Sequence, residues 1–207
     1  LRQTVAGAWG SRKASAKVNG GLRAALADPK VQNEALNVIA AAGLKQFSGD
    51  VVGLIGSTDK PIKLKAISVA ARLLLDDAAA ALAGDLKSSD PQIQQAVLRA
   101  LVTLQVSDSL AEFLTDADAP GELKVQAVEL LLRSSGGAVS LLPLIEAKQL
   151  SSKLAQQAID AAVEHPDVNV RLLYEKFIPV SQRPKTLGQS FTPDDILKIA
   201  GDAERGK

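Results

Sequence analysis

The chain has 207 residues, of which 46% are apolar and only 3% aromatic, so its core has to be built from Leu, Ala, Val and Ile. Its 24 basic and 23 acidic residues leave a net charge of +1, which excludes a global attraction to nucleic acid or anionic membranes. The absence of Cys excludes disulfides, thiolate metal sites and a Cys nucleophile. No apolar run approaches the roughly 20 residues of a membrane span.

An internal repeat runs along the chain. Five segments share a central alanine at a near-constant interval of about 31 residues, a period typical of repeat architectures. These alanines are Ala35, Ala66, Ala96, Ala127 and Ala158, and only the step from Ala66 to Ala96 is one residue shorter than the others. One further step back reaches Thr4, so residues 1–10 are expected to form the first helix of another repeat.

Helix-start signals recur along the chain, and two of them, Asp28-Pro29 and Asp90-Pro91, lie two repeats apart. The signals are Asp28-Pro29, Asp59 with Pro61, Asp90-Pro91, Ala119-Pro120 and His165-Pro166. Asp is a good N-cap because its carboxylate accepts from free N–H groups, and Pro suits the first helical turn. An apolar stripe at helical spacing follows, for example Ile62, Ala66, Val69, Ala70, Leu73 and Leu74.

Shorter second helices are predicted at residues 51–55, 78–86, 110–114 and 139–145. Glycines are expected to separate the two helices of a repeat, at Gly43, Gly49, Gly136 and Gly137. No stretch alternates with period two over the length of a strand. The sequence therefore predicts an all-α fold.

Two helices in each repeat, opened by Asp-Pro and carrying a central Ala, resemble the HEAT-repeat family in its short bacterial form over residues 1–178. The resemblance implies a right-handed α-α superhelix, a HEAT/armadillo-like solenoid of about six helical pairs, in which each repeat buries its apolar face against its neighbours. The family's Val-Arg pair appears as Val31-Gln32, Ile62-Lys63, Ile93-Gln94, Val125-Gln126 and Val170-Arg171. Since the basic residue is mostly Gln, the helix-to-helix Asp–Arg ladder of the family is called into question.

Charge is segregated along the chain. Residues 1–75 carry 11 basic and 4 acidic side chains, residues 76–122 carry 2 and 9, and residues 123–207 carry 11 and 10. One interpretation is that these bands orient a partner or a neighbouring domain. The other is that they are solvated helix faces with acidic caps in short loops.

Candidate chemical groups do not converge on a site. The segment from Gly201 to Lys207 has phosphate-loop spacing, but a helix rather than a strand is predicted before it. His165, the only histidine, is expected to cap a helix or lie in a turn. The acidic pairs Asp76-Asp77 and Asp194-Asp195 point apart on a helix and are interpreted as caps. Trp9 and Tyr174 are expected to fill gaps near the two ends of the array.

The repeat ends near Pro179, and residues 180–190 have the composition of a linker. A short helix is predicted at residues 193–200, with Thr192 as N-cap, Asp195 completing a capping box, and Phe191 and Ile196 forming a hydrophobic staple. We therefore divide the chain into residues 1–178, the repeat array, and residues 179–207, a linker and capped helix that lead to a further domain.

The junction at residues 174–207 resembles large bacterial proteins in which a HEAT-like array precedes a c-type haem-binding domain, the PVC-type family. The matching segments are Tyr174 to Pro179, Arg183-Pro-Lys-Thr-Leu-Gly188 and Gly201-Asp-Ala-Glu-Arg-Gly206. The resemblance implies an exported, periplasmic parent protein that can carry a dehydrogenase-like propeller upstream. Because the chain starts at Leu1 without any Met and stops before a Cys-x-x-Cys-His motif, we expect an internal fragment.

The predicted function is a non-catalytic scaffold or spacer and protein-interaction module within such a parent. One alternative is a stand-alone HEAT-repeat module that binds a protein on its concave face, and another is a HEAT-like lyase or glycosylase. No catalytic, cofactor-binding or metal-binding residue is predicted. The expected partners are proteins, not nucleic acid, and the chain is expected to be monomeric.

Overall fold

The computed structural model describes residues 16–179 and Arg183. This part of the chain is helical throughout, with eleven α-helices, short 3-10 segments at the starts or ends of some of them, and no strand. The predicted all-α fold is confirmed here. The helices predicted at residues 1–10 and 193–200 lie outside the described residues.

The α-helices are numbered in chain order. They are α1 (Ala16–Ala27), α2 (Gln32–Ala42), α3 (Ser48–Ile55), α4 (Lys60–Leu73), α5 (Ala79–Asp85), α6 (Pro91–Thr103), α7 (Ser107–Thr115), α8 (Gly121–Leu131), α9 (Ser135–Glu146), α10 (Ser152–Val163) and α11 (Val168–Tyr174). The most extensive packing joins helices that are consecutive in the chain or that have one other helix between them. Successive even-numbered helices, from α2 to α10, therefore pack against one another.

Each even-numbered helix buries two consecutive apolar side chains at its centre. The pairs are Ala35-Leu36, Ala66-Ile67, Val97-Leu98, Ala127-Val128 and Ala158-Ile159. They follow the period seen in the sequence, once per repeat. The predicted alignment through Ala96 was wrong by one residue, because Val97 stands seven residues after its N-cap Asp90, as Ala66 does after Asp59.

Side-chain caps start several of these helices. The Asp59 carboxylate accepts from the Ile62 N–H at 3.0 Å, and the Asp90 carboxylate accepts from the Gln92 N–H at 2.9 Å. Both predicted caps are confirmed. Asp28 was wrongly expected to cap: its carboxylate accepts from the Lys30 N–H at 3.0 Å, which closes a turn and leaves Val31 at the N-cap position of α2.

Of the four glycines predicted to separate helices, only Gly43 lies between two helices. Gly43 follows α2 with φ +66°, a left-handed conformation that favours glycine. Gly49 lies in the first turn of α3, and Gly136 and Gly137 lie in the first turn of α9. Gly137 permits close packing, because a Cβ there would stand 2.2 Å from the Leu131 carbonyl oxygen.

Candidate functional site

His165 is a buried structural residue, with 7% of its surface exposed. Its Nδ1 accepts from the Asp167 N–H at 3.0 Å, and its carbonyl accepts from the Arg171 guanidinium at 2.6 Å. The predicted turn position is therefore confirmed, but the N-cap of α11 is Asp167, whose carboxylate accepts from the Asn169 N–H at 2.9 Å. The Nδ1 atom of the imidazole and the backbone carbonyl of His165 both help to hold the α10–α11 turn.

Asp167 also ties two helices together. The Ser135 hydroxyl, at the start of α9, donates to its carboxylate at 2.5 Å. This hydrogen bond, with those from Asn169, holds the pKa of the Asp167 carboxyl below its usual value. The carboxylate therefore links the start of α9 to the first turn of α11.

The paired carboxylates Asp76 and Asp77 do not form the predicted cap. They are exposed at the start of a 3-10 segment, Asp76–Ala78, that has no side-chain cap hydrogen bond. Asp77 instead accepts from the Ser48 hydroxyl at the start of α3. Asp77 therefore links this 3-10 segment to the start of α3.

Tyr174 fills the C-terminal end of the described core, as predicted. Its side chain is fully buried, and its hydroxyl donates to the Ala138 carbonyl at 2.7 Å. Burial raises the pKa of the Tyr174 phenol well above its ordinary value. Its partner in the prediction, Trp9, lies outside the described residues, as do Asp194-Asp195 and the segment from Gly201 to Lys207.

A groove with a volume of about 760 Å³ lies between α6 and α8. Helix α6 contributes Gln95 and Arg99, and helix α8 contributes Gln126, Glu129 and Arg133. This volume is in the range of protein ligand sites, and the side chains offer guanidinium, amide and carboxylate groups together. The arrangement can bind hydrogen-bonding and carboxylate-bearing groups, but it contains no nucleophile paired with a base.

The two arginines of this groove are free to bind a ligand. Arg99 and Arg133 are exposed, and within the described part of the chain neither guanidinium forms an ion pair or hydrogen bond. A guanidinium presents donors in a planar fork that matches a carboxylate. The groove is therefore suited to an acidic group, although Glu129 limits its net positive charge.

A second, smaller groove of about 120 Å³ continues on the other side of α8, and Glu129 lines both. Its walls are mainly apolar and come from Val125, Val128, Leu132 and Leu154. Gln157 of α10 stands here one repeat after Gln126. A ligand that crosses α8 would therefore meet a polar surface with two cations and then an apolar one.

The charge bands predicted from the sequence partly neutralise each other where they meet. Lys60 contacts the Asp90 carboxylate at 2.5 Å, and Lys63 contacts that of Asp85 at 2.7 Å. The hydrogen bond from Lys60 lowers the pKa of the Asp90 carboxyl, and the backbone N–H groups that it caps lower it further. These contacts favour the interpretation of the bands as caps and solvated faces.

The groove between α6 and α8 is not predictable from the sequence pattern. Arg99 was a usable signal, because it is one of only two basic residues between positions 76 and 122. That Arg133 lines the same groove could not be predicted, because the sequence separation of the two arginines exceeds the repeat length by about one helical turn. Only the packing of α6 beside α8 puts both in one groove.

Among the described residues, no cluster of three His, Asp or Glu side chains could hold a metal ion. Nor does any helix within that range combine the length and apolarity needed to cross a membrane. In comparisons with known proteins, no family model matches the chain and no curated protein matches it significantly.

Proposed function

We propose that this chain is a non-catalytic protein-interaction module, built as a right-handed superhelix of six HEAT-like helical pairs, that binds a segment of a partner protein across α8. The observation that carries this proposal is the groove between α6 and α8, with two unpaired guanidinium groups facing one cavity. The solenoid part rests on a different observation, the buried apolar pair that recurs once per repeat.

Helix packing supports an array. In a solenoid, each repeat buries its apolar face only against its neighbours. This architecture requires extensive packing between helices that are consecutive in the chain or have one helix between them, and the described helices pack in this way. Small-angle scattering gives a direct test, because a superhelix predicts a maximum dimension well above that of a compact bundle of the same mass.

The chemistry of the two grooves supports a polypeptide ligand. The Gln95 and Gln126 amides can each donate to and accept from a peptide backbone, and the guanidinium groups of the same groove can bind acidic side chains. The apolar groove beyond Glu129 can take an aliphatic side chain. We therefore propose an extended acidic segment with one apolar residue as the ligand.

The test uses a displayed library of short random peptides, selected on the full chain. We expect enrichment of Asp- and Glu-containing peptides whose binding weakens as salt rises, because exposed charges are screened. The double variant Arg99→Glu/Arg133→Glu should lose these peptides.

The matched control is Lys148→Glu/Lys153→Glu, which makes the same charge change at exposed lysines outside both grooves. It should retain the selected peptides. If the two double variants lose peptide binding equally, the binding depends on net charge and not on the groove. If the selection enriches no peptide, the binding proposal is contradicted.

A second role, as a spacer before a haem-binding domain of an exported protein, is favoured by Arg183. This residue opens the segment that resembles the haem-domain junction. Its guanidinium donates to the Ile178 carbonyl at 3.1 Å and to the Lys176 carbonyl at 3.3 Å. These bonds would hold the junction against the last helix and so give a following domain a defined starting point.

The spacer role is tested on the gene that encodes this chain. We expect the reading frame to continue beyond Lys207 into a domain that contains Cys-x-x-Cys-His. A continuation without this motif rejects the haem association and the export inferred from it, and leaves the peptide-binding proposal standing.

A further inference from the structure

Glu129 of α8 lies where the groove between α6 and α8 meets the smaller apolar groove. It is the one acidic side chain, among the described residues, that lines either groove. The side chain is exposed, and within this part of the chain its carboxylate forms no ion pair or hydrogen bond. An unpaired carboxylate in this position meets any ligand that passes from one groove to the other.

The charges of Glu129 and Arg133 are both open to a ligand. The two residues are four apart on α8, and a Glu followed by a cation at this spacing commonly forms an ion pair along a helix. No such pair forms between these two side chains in the structure. Helix α8 therefore presents a cation and an anion about 6 Å apart along its axis.

This separation matches the repeat of an extended peptide. Side chains on one face of a strand are two residues apart, which corresponds to about 7 Å. When an acidic residue of the peptide is bound by Arg133, the residue two positions away can lie over Glu129. A cation there is attracted by the carboxylate, and an anion is repelled.

The far side of the smaller groove does not neutralise Glu129. Helix α10 contributes Leu154, Gln157 and Ala161 to this groove, so its one polar group there is a neutral amide. The carboxylate is therefore the charged group that a ligand meets between the two arginines and the apolar walls.

We infer that Glu129 is the specificity-determining residue of this surface and selects a Lys or Arg two residues from the acidic residue bound by Arg99 and Arg133. This inference rests on the proposed peptide-binding function and adds a charge order to the ligand. The order is an acidic residue, a basic residue and then the aliphatic residue of the smaller groove. A segment with acidic residues at both charged positions places like charges together at Glu129 and is discriminated against.

The test compares the unaltered chain with Glu129→Gln and with the matched control Glu122→Gln, which removes an exposed carboxylate of the same helix outside both grooves. Peptides selected on the unaltered chain should carry Lys or Arg two residues from Asp or Glu. Replacing this basic residue of the peptide by Gln should weaken binding to the unaltered chain and to Glu122→Gln by about threefold, as for one exposed ion pair. The same replacement should leave the affinity for Glu129→Gln unchanged. Fluorescence anisotropy of labelled peptides measures each dissociation constant.

Charge reversal gives a second measurement. Selection on Glu129→Lys should enrich an acidic residue in place of the basic one. An unbiased residue at this position in peptides selected on the unaltered chain, or an equal effect of the Gln replacement on all three chains, would overturn the role of Glu129 and leave the binding of acidic peptides standing. A library that enriches no acidic peptide would instead reject the proposed function, and this inference with it.

Discussion

Helix α8 in the middle of the described chain and helix α11 at its end both carry many apolar side chains, but these are covered differently. Helix α8 has α6 on one side and α10 on the other, and its exposed positions include Glu122 and Glu129. Helix α11 buries Tyr174 but exposes Leu172. The apolar residues of α8 therefore lie against neighbouring helices, whereas α11 also has an apolar face that the described helices leave uncovered.

The largest expected effect is at the end of the row of helices. Tyr174→Ala should lower the free energy of unfolding by about 3–5 kcal/mol, because it empties a fully buried aromatic site. Hydrogen exchange should show the loss concentrated in α9 and α11. Tyr174→Phe removes only the hydrogen bond to Ala138 and should cost about 1 kcal/mol. Equal effects of the two substitutions would contradict the packing role of the ring.

The next largest effect is expected where the backbones of α8 and α9 pack closely at Gly137. Gly137→Ala brings a Cβ within 2.2 Å of the Leu131 carbonyl oxygen, so we expect a loss of about 3 kcal/mol in the free energy of unfolding. Gly136→Ala is the matched control, because a Cβ at that position meets no atom within 4 Å. Denaturant unfolding of the two variants measures the difference, and a tolerated Gly137→Ala would refute the close approach of α8 and α9.

A smaller effect is expected at the cap of α4. Asp59→Ala should lower the free energy of unfolding by about 1 kcal/mol, because the Ile62 N–H loses its acceptor. Asp76→Ala provides the comparison, since Asp76 caps no helix by its side chain. That substitution should change stability by less than about 0.5 kcal/mol in the same denaturant unfolding measurement.

The smallest expected effect is on the pH dependence of stability. It compares Asp90, the N-cap of α6, with Asp167, the N-cap of α11. The pKa values of Asp90 and Asp167 are lowered in the folded chain, so each contributes stability above its unfolded pKa that is lost as pH falls through the folded pKa. We expect the melting temperature to fall between about pH 4 and pH 2. Asp90→Asn and Asp167→Asn should each flatten this dependence, and an unchanged profile in both would contradict the assignment.

Local chemistry explains which sequence predictions held. Asp59 and Asp90 were predictable caps, because a carboxylate accepts from the free N–H groups of a first helical turn and Pro fits that turn. Asp28 has the same neighbour but bonds to the Lys30 N–H instead, and this local competition is invisible in the pattern. The role of Gly137 was equally invisible in the sequence pattern. This glycine is needed for the close approach to the Leu131 backbone and not for a turn.

The sequence by itself determined the helical fold and the period of its repeat, because apolar spacing, Asp caps and central alanines are properties of residues close together in the chain. Tertiary structure alone decided the groove and the uncovered end. Arg99 and Arg133 belong to different repeats and share a groove only because α6 packs beside α8. Leu172 is exposed because the described helices cover only the opposite face of α11.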